Sequence, residues 1–391
     1  DFMLKAVAIK PDILEYASEE LRSDREIVME AVKKDGRALR HADEDLKKDK
    51  EVVMAAMQQD VRALQYASEE LRKNKEFILE AVQHGVRALQ YASEELRKNR
   101  EFILEAVQQN GLALWYASED LKKDKEVVME AVKKRGFALR RASEELRRDW
   151  EVVMEAVQQD GSALEYASEE LRRDREIVMA AVKQGSTWCL EYASEELRSD
   201  REVVMEAVKK RGFALRRASE ELRRDWEVVM EAVQQDGSAL EYASEELRRD
   251  REIVMAAVKQ GSTWCLEYAS EELRSDREVV MEAVQHNAFA LKHASKGLRG
   301  DKKVVLEAVK YSGLALSYAS EVLRGDKEFV LEAVKHRGSA LQYASEELKK
   351  DKDVVLEAVK QDRSALQYAS DTLKADMDVL EAVNQKAGRV R

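Results

Sequence analysis

The chain has 391 residues, of which 37% are charged, 45% apolar and 6% aromatic, and its formal net charge is −11. A single proline and that apolar content argue against disorder, and an acidic balance with both signs interspersed argues against a general nucleic-acid binder. No apolar run approaches the ~18 residues a membrane span needs.

In chain order, Phe2 to Val7 resembles Phe329 to Val334, which is the middle of a repeated unit. The chain is therefore expected to begin inside a longer or processed protein, and no secretory leader is legible. One phrase then recurs about every 25 residues, with its register marked by Leu14, Leu39, Leu64, Leu89, Leu114, Leu139, Leu164, Leu190, Leu215, Leu240, Leu266, Leu291, Leu316, Leu341 and Leu366. Fifteen copies with almost nothing between them predict an all-α fold, an α-solenoid of about 15 two-helix repeats of about 25 residues each. Residues 1–391 are expected to form one array, in which each repeat touches only its neighbours. An array spreads similar groups along a line. A catalytic site needs dissimilar groups converging on one point, so no enzyme is expected.

The repeat at Ser162 to Gln184 carries the local signals. Ser162-Ala163-Leu164-Glu165 has the S-x-x-E form of a capping box, echoed at Ser238, Ser339 and Ser364. Leu164, Ala167 and Leu171 make one apolar stripe of a first helix, which ends at Arg172-Arg173. Asp174 caps a second helix with stripe Ile177, Val178, Ala181 and Val182. Gly161 and its equivalents Gly36, Gly136, Gly212 and Gly338 are expected to stop that helix in the left-handed conformation. Each helix then has about 10 residues and is marginal alone in water. The rival is one continuous coiled coil, since 25 residues make about seven turns of straight helix. Glycine and two caps in every repeat argue against it.

Trp115 stands where other repeats have Glu165, Gln90 or Arg40, so an exposed interface anchor is weighed against incidental packing. Basic density follows at Lys133, Lys134, Arg135, Arg140, Arg141, Arg147 and Arg148, and is copied at Lys209 to Arg211, Arg216, Arg217, Arg223 and Arg224. It reads as a phosphate or acidic-partner face, or as solvated helix ends balanced by Glu130 and Glu144-Glu145; the second is favoured because the whole array is acidic. Trp150 and Trp226 take the first position of the second helix, where Lys125 and Arg175 stand elsewhere, so both are expected to be exposed. Trp188 and Trp264 lie at a one-residue insertion, where the ring is placed either as an anchor or as a plug in the stack. Beside them Cys189 and Cys265 replace the small Ala163 and Ala239, which predicts buried, unreactive thiols compatible with a reducing compartment.

Glu126 to Val208 reappears unchanged as Glu202 to Val284, three repeats later. Such copying leaves a solenoid's interfaces intact. The chain closes with a last helix one residue short and a polar, basic tail at 385–391. The histidines His41, His84, His286, His293 and His336 show no metal-ligand spacing, and no phosphate loop or nucleophile elbow is present, so no cofactor is expected.

The phrase from Leu164 to Val182, Leu-x-Tyr-Ala-Ser-Glu-Glu-Leu-Arg followed by Asp-x-Glu-x-Val-Met-x-Ala-Val, resembles the short helical repeats grouped as domain of unknown function 4116. His41, Arg141, Arg217 and His293 depart from its usual tyrosine. The resemblance implies a bacterial or protist source, marine algae being rich in such arrays, and brings no activity and no catalytic residues. The expected function is a non-catalytic scaffold for other proteins, such as a linker subunit of an algal organellar or photosynthetic assembly. The alternative is an anionic-ligand or nucleic-acid binder using the basic residues at 133–148 and 209–224.

Overall fold

The computed structural model describes residues 2–185, 188–262 and 264–385. Ser186, Thr187, Thr263 and 386–391 lie outside the described residues, and with them part of the predicted insertion and nearly all of the predicted tail.

The repeat at 111–135 shows how the letters become structure. Gly111–Tyr116 is a 3-10 helix, the backbone extends at Ala117 with ψ 154°, Leu121–Lys123 is a second short 3-10 turn, and Lys125–Lys134 is a ten-residue α-helix. The α-helix starts at Asp124, whose Oδ1 accepts from the Glu126 and Val127 amides at 3.0 and 3.1 Å. Its buried face is Val127, Val128, Ala131 and Val132, four residues on one side of two turns.

The predicted first helix is therefore split, and the reason lies in the preceding repeat. At Ala167 the chain turns extended (φ −65°, ψ 154°), and the Ser168 amide donates to the Arg147 carbonyl, 2.9 Å away and one repeat back. The Ser168 hydroxyl then accepts from the Leu171 amide at 3.3 Å and starts the next turn. A helix of about 10 residues is too weak to resist this exchange of an internal hydrogen bond for one between repeats.

Two further expectations are corrected. Ser162 is not a cap: Asp160 is, its Oδ1 accepting from the Ser162 amide and hydroxyl at 2.9 and 2.6 Å. Asp236 and Asp362 hold Ser238 and Ser364 in the same way. Nor are the repeat-ending glycines left-handed: the described residues in the left-handed region are Gly185 (φ 74°) and Gly261 (φ 73°), in the turn that absorbs the extra residue. Gly136 is needed for room, because a Cβ there would run into the Ala156 carbonyl oxygen of the next repeat. Val61, Val86 and Ala288 hold the same place elsewhere, so this close approach belongs to particular pairs of repeats.

The chain divides into two compact bodies, 1–194 and 195–391. In the N-terminal body the α-helices from Phe2–Ile9 through Arg25–Lys34 to Arg175–Lys183 lie side by side in one layer, and the 3-10 segments from Pro11–Tyr16 to Gly161–Tyr166 stack in a second. The core lies between them, where Val127, Val128 and Val132 meet Ala113, Leu114, Ala138 and Leu139. The C-terminal body repeats this plan from Arg201–Lys210 to Met377–Gln385. Among the described residues there is no strand and no buried charged or polar side chain. The fold is an all-α solenoid of tandem repeats.

Candidate functional site

In most repeats a cation at the first position of the ten-residue α-helix pairs with the capping aspartate of the next repeat. Arg25 pairs with Asp49 (3.0 Å), Arg100 with Asp124 (2.7 Å), Lys125 with Asp149 (2.9 Å) and Glu151 (2.8 Å), and Arg201 with Asp225 (2.9 Å). The same rung recurs from Arg251–Asp276 to Lys352–Asp376. The pairing shows in the electrostatics: a side-chain hydrogen bond from Arg100 is the main influence holding the Asp124 carboxyl below the usual carboxylate range. At Asp149 burial pushes upward, but Lys125 and the Val152 and Glu151 amides outweigh it, and the net shift is downward. The sequence signal for this ladder is a cation 24 residues before a capping aspartate, or 25 where the one-residue insertion intervenes.

Trp150 and Trp226 interrupt the ladder. Each occupies the cation's place at the start of its α-helix, and among the described residues the carboxylates one repeat on, Asp174 with Glu176 and Asp250 with Glu252, form no ion pair with a residue at that place. Both rings stand on the surface, 43% and 38% exposed. Trp188 and Trp264 are more exposed still, at 50% and 51%, so neither ring plugs the stack. Trp264 lies 6.0 Å from the His293 ring. Beneath them Cys189 and Cys265 are buried, their thiols 3.1 and 3.2 Å from the Ala181 and Ala257 carbonyls, and burial pushes the Cys265 thiol up to about 11.

Trp115 differs from the other four. It is half-buried, with its indole nitrogen covered and without a hydrogen bond. Its ring stacks on Phe137 (6.0 Å, 29°), and Phe137 meets Tyr166 edge-on at 5.3 Å. The basic residues separate around this cluster. Arg141 lies 4.4 Å from the Trp115 ring centre, and Arg140 lies 5.7 to 5.9 Å from the Phe137, Trp115 and Tyr166 rings. Lys133 pairs with Glu130 and Arg148 with Glu144, while Lys134 and Arg135 are exposed at the end of their helix. Arg147 is half-buried, its Nε covered and unpaired, in a shallow groove shared with Tyr166, Glu170 and Arg172. In the copy, Arg216 lies 5.6 Å from Phe213, while Arg217 sits at the end of the same 3-10 helix. The basic stretch is thus dispersed among ion pairs, rings and grooves rather than gathered into one phosphate-binding face. Phe137 and Tyr166 were not singled out in the sequence; Tyr166 sits in a tyrosine slot that repeats with the array, whereas the Phe137 position holds Arg62, Leu112 or Ser162 elsewhere and carries no periodic signal.

Among the described residues no group of three or more His, Cys, Asp or Glu is placed to hold a metal ion, and no helix is long and apolar enough to cross a membrane. No curated protein matches the chain. The family described as domain of unknown function DUF4116 matches at 1–47, 25–72, 49–97 and onward through 326–374. Each match takes in about two structural repeats and the next starts about one repeat on, which is how tandem copies of one fold unit present themselves. The chain belongs to the DUF4116 family, as a tandem array of its repeats.

Proposed function

We propose that this chain is a non-enzymatic helical-repeat scaffold that holds partner proteins along its surface, as a linker subunit does in a larger assembly. The observation that carries the reading is the pair Trp150 and Trp226. Each puts a large apolar ring into solvent at a rung where neighbouring repeats use a solvated cation. Exposed tryptophan contributes nothing to solubility, and buried at an interface it is among the strongest anchors. The dispersed basic residues and the net charge of −11 speak against a nucleic-acid role.

The test is site-specific photo-crosslinking, with a benzophenone amino acid at 150 or 226 and, as a control, at the exposed Glu145. The expected result is a discrete protein adduct from 150 and 226 that is absent from 145. Adducts that are identical at all three positions, or that contain nucleic acid, overturn the reading.

A further inference from the structure

The cluster around Trp115 holds a binding capacity that its own packing leaves unused. Arg140 and Arg141 are exposed, and among the described residues neither forms an ion pair with a carboxylate, Glu119 acting on Arg141 only at longer range. Their neighbours do: Lys122 pairs with Glu119 (2.7 Å), Lys133 with Glu130 (3.3 Å) and Arg148 with Glu144 (2.6 Å). What holds the two guanidinium groups is aromatic, Arg141 at 4.4 Å from the Trp115 ring and Arg140 within 5.9 Å of three rings. A ring covers the face of a guanidinium and leaves its in-plane N–H fork free, and that fork matches a carboxylate with two parallel hydrogen bonds. Two forks ordered in advance lower the entropic cost of capturing a ligand.

We propose that Arg140 and Arg141, braced on Trp115, Phe137 and Tyr166, form a clamp for carboxylate side chains on an acidic segment of a partner protein. The proposal rests on the scaffold reading and names the chemistry of one partner contact. Charge complementarity selects the occupant. Glu119 lies near Arg141, and Glu144 and Glu165 near Tyr166, so one or two carboxylates fit between them and a longer polyanion meets like charge on either side. The clamp is built once. The copied region keeps Phe213, Tyr242 and Arg216, with the two rings 5.3 Å apart, but Glu191 stands at the position equivalent to Trp115.

The experiment is calorimetric titration of the full chain with an acetylated Gly-Gly-Glu-Glu-Gly-Gly amide peptide and, separately, with a thymidine oligonucleotide at the same ionic strength. The expected result is one peptide per chain. Affinity falls about tenfold in Arg140→Gln/Arg141→Gln, falls less in Arg140→Lys/Arg141→Lys, and falls in Trp115→Leu. The double variant Arg147→Gln/Arg148→Gln removes the same charge outside the clamp and is expected to change affinity less than about threefold. Far-UV circular dichroism establishes that each variant is folded. No peptide binding, equal losses in the two glutamine variants, or tighter binding of the oligonucleotide overturns the clamp. The scaffold reading survives any of these if position 150 still crosslinks to protein.

Discussion

The Ser93 amide donates to the Arg72 carbonyl at 2.8 Å, one repeat back, and the Ser93 hydroxyl accepts from the Leu96 amide at 3.3 Å. One residue thus ties two repeats together and starts the next helical turn. Its backbone (φ −59°, ψ 154°) suits proline, and so does the extended Ala92 before it (ψ 148°). The two roles can therefore be separated. Ser93→Ala keeps the amide and loses the cap, at about 1 kcal/mol. Ser93→Pro also loses the donor and sets a ring against the Arg72 carbonyl, at about 3 kcal/mol in total. Urea denaturation of the two variants measures the difference; equal losses would mean that the bond between repeats contributes nothing.

Leu139 is fully buried between the two layers. Leu139→Ala is expected to cost about 2–5 kcal/mol. Because each repeat contacts only its neighbours, the loss stays local. Hydrogen exchange should quicken in the helices Lys125–Lys134 and Trp150–Gln159 and stay unchanged in Arg25–Lys34. Uniform quickening across the N-terminal body would show one cooperative block instead.

Acid should weaken the fold in two stages. Burial holds His41 and His293 below the ordinary histidine value, with a lesser push from Arg40 on His41. The unfolded chain therefore takes up protons first, and stability begins to fall as pH drops below about 6.5. His293→Tyr, which restores the residue usual at that position, should reduce this first loss. The capping aspartates Asp124 and Asp149 also lie below their ordinary value, so their contribution is present above about pH 4 and disappears as pH falls through the folded-state values. Urea midpoints measured from pH 7 to pH 3 follow both stages. A midpoint flat down to pH 4 in the unmodified chain would show that the histidines do not contribute.

Cys189 and Cys265 are each 1% exposed, and the Cys265 thiol ionises only near 11. Both should resist an aromatic disulfide reagent in the native chain at pH 8 (about 0.5 unit below an ordinary thiol's pKa) and react fully in urea. Rapid native labelling of either thiol would place it on the surface.

Much of this was written in the letters. The period, the all-helical class, the Asp124-type caps and the Val-Val-x-x-Ala-Val face each depend on residues within one repeat, and a local pattern is visible in sequence. So was the exposure of Trp150 and Trp226, because a position that accepts lysine elsewhere faces water. The split at Ala-Ser was hidden, since Leu164, Ala167 and Leu171 satisfy helical spacing whether or not the chain breaks between them.

Sequence alone therefore determined the repeat, its apolar face and its punctuation, all of which are short-range properties of the chain. Tertiary structure decided what passes between repeats: the Ser93–Arg72 hydrogen bond, the Arg100–Asp124 rung and the placing of Arg141 over Trp115. These pairs lie 21 to 26 residues apart in sequence. They meet because the α-helices stack in register, and no local preference of either partner encodes that meeting.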